Sequence, residues 1–150
     1  MVLVNILSRK KPPGGRRIIR REGESCMIDF QNASFIKMKA VPYKNYSDMV
    51  DPLLIHDESI VATFQAMRDG IVFTDKRIIA INVQGVTGKK KDFTSLPYSK
   101  IQAFSVETAG VFDLDCELEL WFSGLGRVKL EFTGGTDVSA LCRMISTLTL

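Results

Sequence analysis

The stretch GVFDLDCELEL, from Gly110 to Leu120, places Asp113, Asp115, Glu117 and Glu119 at every second position. Carboxylates in such a series can gather a hard divalent cation, which takes several of its ligands from carboxylate oxygens. Asp113 and Asp115 are the pair that would hold one. The stretch lacks the D-x-D-x-D-G order of a calcium loop. Gly110 just ahead of it favours a turn in which aspartates accept hydrogen bonds from nearby backbone amides. Turn aspartates are therefore expected here, and no metal site. In CELELWF, strand alternation sets Glu117, Glu119 and Trp121 on one face, and Cys116, Leu118, Leu120 and Phe122 on the other. RVKLEF likewise turns Arg127, Lys129 and Glu131 outward. Across the SGLG turn, outward acids then meet outward bases, the usual charge pairing of an antiparallel hairpin.

The remaining chemistry-bearing residues are few. GVTGKKK suggests a phosphate loop, but only two residues separate Gly85 from Gly88, and Lys90 rather than Ser or Thr follows Lys89. The Walker pattern fails on both counts. Lys89, Lys90 and Lys91 still form a basic cluster at a loop, and Lys76 and Arg77 mark another turn. These five are the anion-binding candidates, expected to share one rim if the strands close into a barrel. The bland alternative is a lysine-blunted strand edge that resists aggregation. His56 is the sole histidine, and Cys26, Cys116 and Cys142 form no C-x-x-C pair. Neither a catalytic triad nor a Cys/His metal site has the spacing it needs. No catalytic residue and no cofactor are expected. Trp121, a large aromatic on an outward face, is the interface candidate, because Trp is enriched at binding hot spots.

These residues need elements to carry them. From residue 58 the apolar period is two for about 75 residues. The runs are ESIVATFQAM, GIVFT, RIIAINV, KKKDFTSL, IQAFSVET, CELELWF and RVKLEF, seven short antiparallel strands. Asp69-Gly70 reads as a two-residue hairpin turn and Asp75-Lys76 as the next one. After TGGTD the period lengthens. With Asp137 as N-cap, Leu141, Met144, Ile145 and Leu148 line one face of an amphipathic helix. Upstream, FIKMKAV is a short strand or a helix edge. YKNYSDMVDPLLI predicts a short helix capped at Ser47, with Met49, Val50, Leu53 and Leu54 on one side and Pro52 forcing a stop or a restart. The expected fold is mainly β: a seven-stranded antiparallel barrel or bent sheet closed by a C-terminal helix, which buries edges and covers an open mouth.

The whole chain has 150 residues and a formal net charge of +3, but that charge is unevenly held. Residues 1–26 carry seven bases and two acids, and the rest carries thirteen bases and fifteen acids. A domain of that balance gives no electrostatic ground for a nucleic-acid partner. SRKKPPGGRRIIRREGES combines Pro-Pro, Gly-Gly and like charges, so residues 1–26 read as a disordered basic tail. Met27 is an alternative start for the folded chain. Residues 27–57 then form an N-terminal extension with a short helix, and residues 58–150 the β domain. No apolar run is long enough to span a membrane. Three scattered cysteines fit reduced thiols, so a cytoplasmic location is expected.

At RDGIVFTDKRIIAINVQGVTGKK (Arg68 to Lys90) and LPYSKIQAFSVETAGVFDLDCELELW (Leu96 to Trp121), together with the terminal helix, the chain resembles the bacterial pleckstrin-homology (PH) domains over roughly residues 45–150. The resemblance implies a seven-stranded barrel with a C-terminal helix and a capacity to self-associate into rings, with no activity established for the family. Eukaryotic relatives bind inositol phosphates through bases near the first hairpin loop. Here that loop is RDG, with Arg68 opposed by Asp69, which argues against phosphoinositide binding. The expected function is a non-enzymatic interaction or scaffold domain that forms homo-oligomers or binds a protein partner. The alternative is an adaptor that reaches an anionic membrane or phospholipid surface through basic residues.

Overall fold

The computed structural model describes residues 30, 35, 37–108, 110, 115–133 and 135–150. Two antiparallel sheets and a C-terminal helix make up the architecture. The first sheet contains β1 (Lys39–Ala40), β2 (Ile60–Gln65), β3 (Gly70–Thr74), β4 (Arg77–Gln84) and β5 (Lys90–Pro97), in that order. The second contains β6 (Ile101–Glu107), β7 (Cys116–Phe122) and β8 (Gly126–Phe132). The seven strands from β2 to β8 are those that the alternation predicts, and FIKMKAV contributes the short β1. The strands form bent sheets rather than a closed barrel.

One corner between the sheets is stitched by the chain ahead of β2. Met38 pairs in parallel with Phe132, donating its N–H to Glu131 O at 2.9 Å and accepting from Thr133 N at 2.9 Å. The next two residues, Lys39 and Ala40, pair with Gln65 and Phe64 of β2. Met38 is fully buried at this seam. At the other corner a 3-10 turn, Tyr98–Lys100, leads from β5 to β6.

Between the sheets lies the main core, in which Phe64 meets Phe73 and Phe132 edge-on at centroid distances of 5.8 and 4.7 Å. Helix α2 (Val138–Thr149) covers it with Leu141 and Ile145 buried and Met144 and Leu148 packed alongside. The Asp137 carboxylate accepts from Ala140 N at 2.9 Å, the capping bond its position predicts.

A second, smaller core lies on the outer face of the first sheet. Val72, Ile79 and Ile81 point away from the main core and are covered by Tyr46 and Val50, with Val41, Met49 and Leu54 packed alongside. β3 is buried at every position. The strict alternation expected of a half-solvated sheet therefore fails in β3 and β4, whose continuous apolar runs GIVF and RIIAI suit strands covered on both faces. The covering layer consists of 3-10 turns at Tyr43–Asn45 and Asp51–Leu53 around α1 (Ser47–Val50).

Two local expectations need correction. Ser47 is not the cap of α1: Tyr46 holds that position, and the Ser47 hydroxyl donates back to Lys44 O at 3.3 Å. The helix does restart with Pro52 in the first turn, but Leu53 faces solvent instead of the sheet. Asp69-Gly70 is not a two-residue turn either. Gln65 pairs with Gly70, so residues 66–69 make the connection and Gly70 opens β3. Its glycine is required for space. A Cβ there would lie 2.4 Å from Cζ and the hydroxyl oxygen of the buried Tyr46 ring. The Tyr46 phenol, which donates to Asp69 O, is pushed up to about 12 by burial and by the Asp69 charge.

Gly70→Ala is accordingly expected to destabilise the fold by ~2 kcal/mol or more, since the packed ring cannot yield. Urea unfolding measures it, and a loss within experimental error would contradict the close approach. Thr63 offers the opposite sign. Its hydroxyl is buried with no hydrogen-bond partner among the described residues. Thr63→Val should therefore raise stability by ~1 kcal/mol in the same assay.

Candidate functional site

The antiparallel register decides which candidate bases can act together. β4 and β5 pair from Arg77 opposite Pro97 to Gln84 opposite Lys90. The turn at Lys76 and Arg77 thus lies at one end of the strand pair and Lys89, Lys90 and Lys91 at the other, ~23 Å apart by strand rise. The expected common rim does not form, because successive hairpin turns alternate between the two ends of a sheet.

Arg77 belongs to an internal clamp. Its Nε and Nη2 donate to the two oxygens of Glu58 at 2.9 and 3.0 Å. Nη2 also donates to Leu53 O at 2.6 Å, and Nη1 donates to Ser95 Oγ at 2.8 Å. Glu58 accepts in addition from Thr74 Oγ1 at 2.8 Å and from Ile55 N at 3.0 Å. Its side chain has no solvent exposure. Burial alone would raise the Glu58 pKa. The hydrogen bonds from Arg77, Ile55 and Thr74, with the Arg77 charge, outweigh it and hold the carboxyl at about 2. Tyr98 joins by donating to Thr74 O at 2.8 Å, and its phenol is raised by burial and by Asp75 and Glu58. Lys76 remains at the surface, 3.7 Å from Asp75.

At the opposite end, the β4–β5 loop meets the β2–β3 loop. Arg68 Nη2 donates to Gly85 O at 2.5 Å, and Asp69 accepts from Val83 N at 2.9 Å. Lys37 and Lys39 join Met67 around a depression of about 320 Å³ on the same side. Lys89, Lys90 and Lys91 therefore lie at the same end of the sheet as Arg68, Lys37 and Lys39, three bases that the linear reading left out, although β1 and β5 are its opposite edges. Hairpin parity was the signal that could have found Arg68. The pairing of β1 beside β2, visible only in three dimensions, supplies Lys37 and Lys39. At the loop tips, Met67 is 98% exposed and Val86 is fully exposed.

The outer face of the β6–β8 sheet carries the acidic ladder. Glu119 faces Lys129, and Trp121 faces Arg127, across the β7–β8 pair. The ion pairs run diagonally, Arg127 to Glu119 at 3.1 Å and Lys129 to Glu117 at 2.7 Å. The Lys129 ammonium is raised chiefly by its hydrogen bond to Glu117. Trp121 keeps the outward phase, half-buried, between Ala103 of β6 and Arg127 of β8. Asp113 lies outside the described residues. Asp115 directly precedes β7, and after burial itself its charge helps to raise the neighbouring Cys116 thiol. Among the described residues, no three His, Cys, Asp or Glu side chains gather as a metal site would need. His56 is exposed and touches Asp57 at 2.7 Å. Cys142 borders a groove of about 580 Å³ between β6 and α2.

Two bent antiparallel sheets with a helix across the opening define a pleckstrin-homology-like domain. Residues 29–149 match the bacterial PH domain family, and the chain belongs to that family. It is 39% identical to a crystallised protein with a pleckstrin-homology domain from Shewanella loihica, covering 77% of this chain and 99% of that one with a TM-score of 0.68. A pleckstrin homology domain from Shewanella amazonensis is 38% identical, with 80% and 95% covered and a TM-score of 0.57. Among curated proteins, the chain is 50% identical over 93 residues to "uncharacterized protein YjqA" of Bacillus subtilis, covering 62% of this chain and 70% of that protein. No helix among the described residues is long and apolar enough to cross a membrane.

The clamp sets an acid limit. Glu58 has a lower pKa folded than the ordinary 4.5, so folding favours its charged form. The stability it supplies is complete above about pH 5 and is lost as pH falls toward 2, amounting to ~3 kcal/mol. Urea unfolding between about pH 6 and pH 2.5 should show a steep acid loss that Glu58→Gln flattens. An unchanged slope in the variant would contradict this role.

Proposed function

We propose that this chain is a non-enzymatic interaction domain that assembles with copies of itself through the outer face and open edge of the β6–β8 sheet. One observation carries the reading. The first sheet has its outer face covered by residues 41–54, whereas the second keeps Ala103, Ser105 and Glu107 exposed beside the half-buried Trp121. Among the described residues β6 pairs only with β7, which leaves one row of its backbone groups available to another strand. An accessible Trp flanked by a small residue and an arginine has the composition of an interface centre. His56 is exposed and, among the described residues, ion-pairs only with Asp57, which gives no support to acid–base catalysis.

Native mass spectrometry of the full chain tests this. A defined multiple of the chain mass is expected, and Trp121→Ser should weaken association by about thirtyfold. Ala103→Glu, at an exposed position that leaves the core untouched, should do the same without loss of folding. A monomer at all accessible concentrations would overturn the proposal.

A further inference from the structure

We infer that the unclosed corner between the two sheets binds a small amphipathic monocarboxylate, with Lys100 taking the carboxylate and an apolar floor taking the body of the molecule. Three observations converge. The first is the gap itself. Met38 stitches one corner, but at the other no strand pairing joins β5 to β6 among the described residues. A depression of about 340 Å³ lies there, between the end of β5 and the β7–β8 turn. That volume is at the small end of ligand pockets. The second is its floor. Leu96 and Phe122, both buried in the main core, line it together with Pro97 and Leu125. The third is a set of donors with no acid among the lining residues. Lys100 is the only charged one; it is exposed and forms no ion pair with the described residues. Ser95 Oγ accepts from Arg77 Nη1 at 2.8 Å, so its own O–H is left to donate. Ser123, exposed in the β7–β8 turn, adds a second hydroxyl. None of the residues assigned to self-assembly lines this depression, so the inference stands apart from that reading.

The pairing of one cation with an apolar floor selects the ligand. A single lysine balances a single negative charge, and neighbouring hydroxyl donors suit carboxylate oxygens. A phosphate dianion would keep part of its charge uncompensated and gain nothing from the floor. A neutral apolar molecule would leave Lys100 unused. A monocarboxylate with one ring or a short chain satisfies both parts, by a charge-assisted hydrogen bond at the rim and apolar burial beneath it.

The test is equilibrium dialysis of the full chain against phenylacetate, with phenylacetamide, acetate and inorganic phosphate as comparison probes. Phenylacetate should bind once per chain and weaken with added salt. The amide lacks the charge and acetate lacks the apolar body, so each should bind about tenfold or more weakly. Lys100→Gln should lower the affinity for phenylacetate by about tenfold. Lys76→Gln, at an exposed lysine outside the depression, should leave it unchanged. Because residues 1–26 remain in every protein compared, their bases cannot produce the difference. Equal binding of phenylacetate and its amide, or no effect of Lys100→Gln, would show a contact without the lysine and overturn the inference. Acetate or phosphate bound as tightly as phenylacetate would overturn it in favour of a plain anion site. No binding of phenylacetate by the wild-type chain would overturn it outright.

Discussion

The Arg77–Glu58 clamp is the interaction on which the arrangement of the first sheet depends. Arg77 opens β4, yet its guanidinium reaches Leu53 in the covering layer, Glu58 ahead of β2 and Ser95 on β5. Glu58 returns bonds from Thr74, at the end of β3, and from Ile55. One part-buried ion pair thus fixes four stretches of chain at one end of the sheet. Breaking such a pair by removing one partner leaves an uncompensated charge and is strongly destabilising. The pair is offset by enough hydrogen bonds for Glu58 to stay ionised without solvent. With that end locked, α1 lies over Val72, Ile79 and Ile81 and closes the second core.

The clamp also sorts the charges into roles. Arg77 spends four of its five N–H donors internally, and the lysines cannot recruit it from the far end of β4. Arg68, Lys89, Lys90 and Lys91 are exposed where the β2–β3 and β4–β5 loops meet, while Lys44, Lys76, Lys100 and Arg143 are exposed elsewhere. The acids concentrate elsewhere, many of them on the β6–β8 face, where Lys129 and Arg127 partly neutralise them through diagonal pairs. A covered sheet, an uncovered sheet and a basic loop end therefore give one small domain two chemically distinct surfaces.

Much of this was legible in the residues. The period-two runs located seven strands, and Asp137 located the start of the terminal helix and its buried face. Alternation through CELELWF set the acids outward and the apolar side chains inward, as their burial confirms. What escaped depended on contacts between distant segments. Gly70 looked like a turn glycine because Asp-Gly is a strong local signal, whereas the controlling contact is with Tyr46, 24 positions earlier. Arg77 looked like a free base because Glu58 lies 19 positions away. The covering layer had a visible trace: GIVF and RIIAI are apolar at consecutive positions, which a sheet with one solvated face does not need. The bases at Lys37 and Lys39 had no such trace, since only the β1–β2 pairing brings them beside Met67.

The most direct test is native-state hydrogen exchange on the wild type and on Arg77→Met. If the clamp unites the covering layer with the sheet, the amides of Val50 and Leu54 should exchange with the same opening free energy as β3 and β4 in the wild type. In the variant they should exchange through a separate, much easier opening while the β6–β8 sheet keeps its protection. If Val50 and Leu54 already exchange independently of the sheet in the wild type, or are unaffected by the substitution, the clamp is not what holds this fold together.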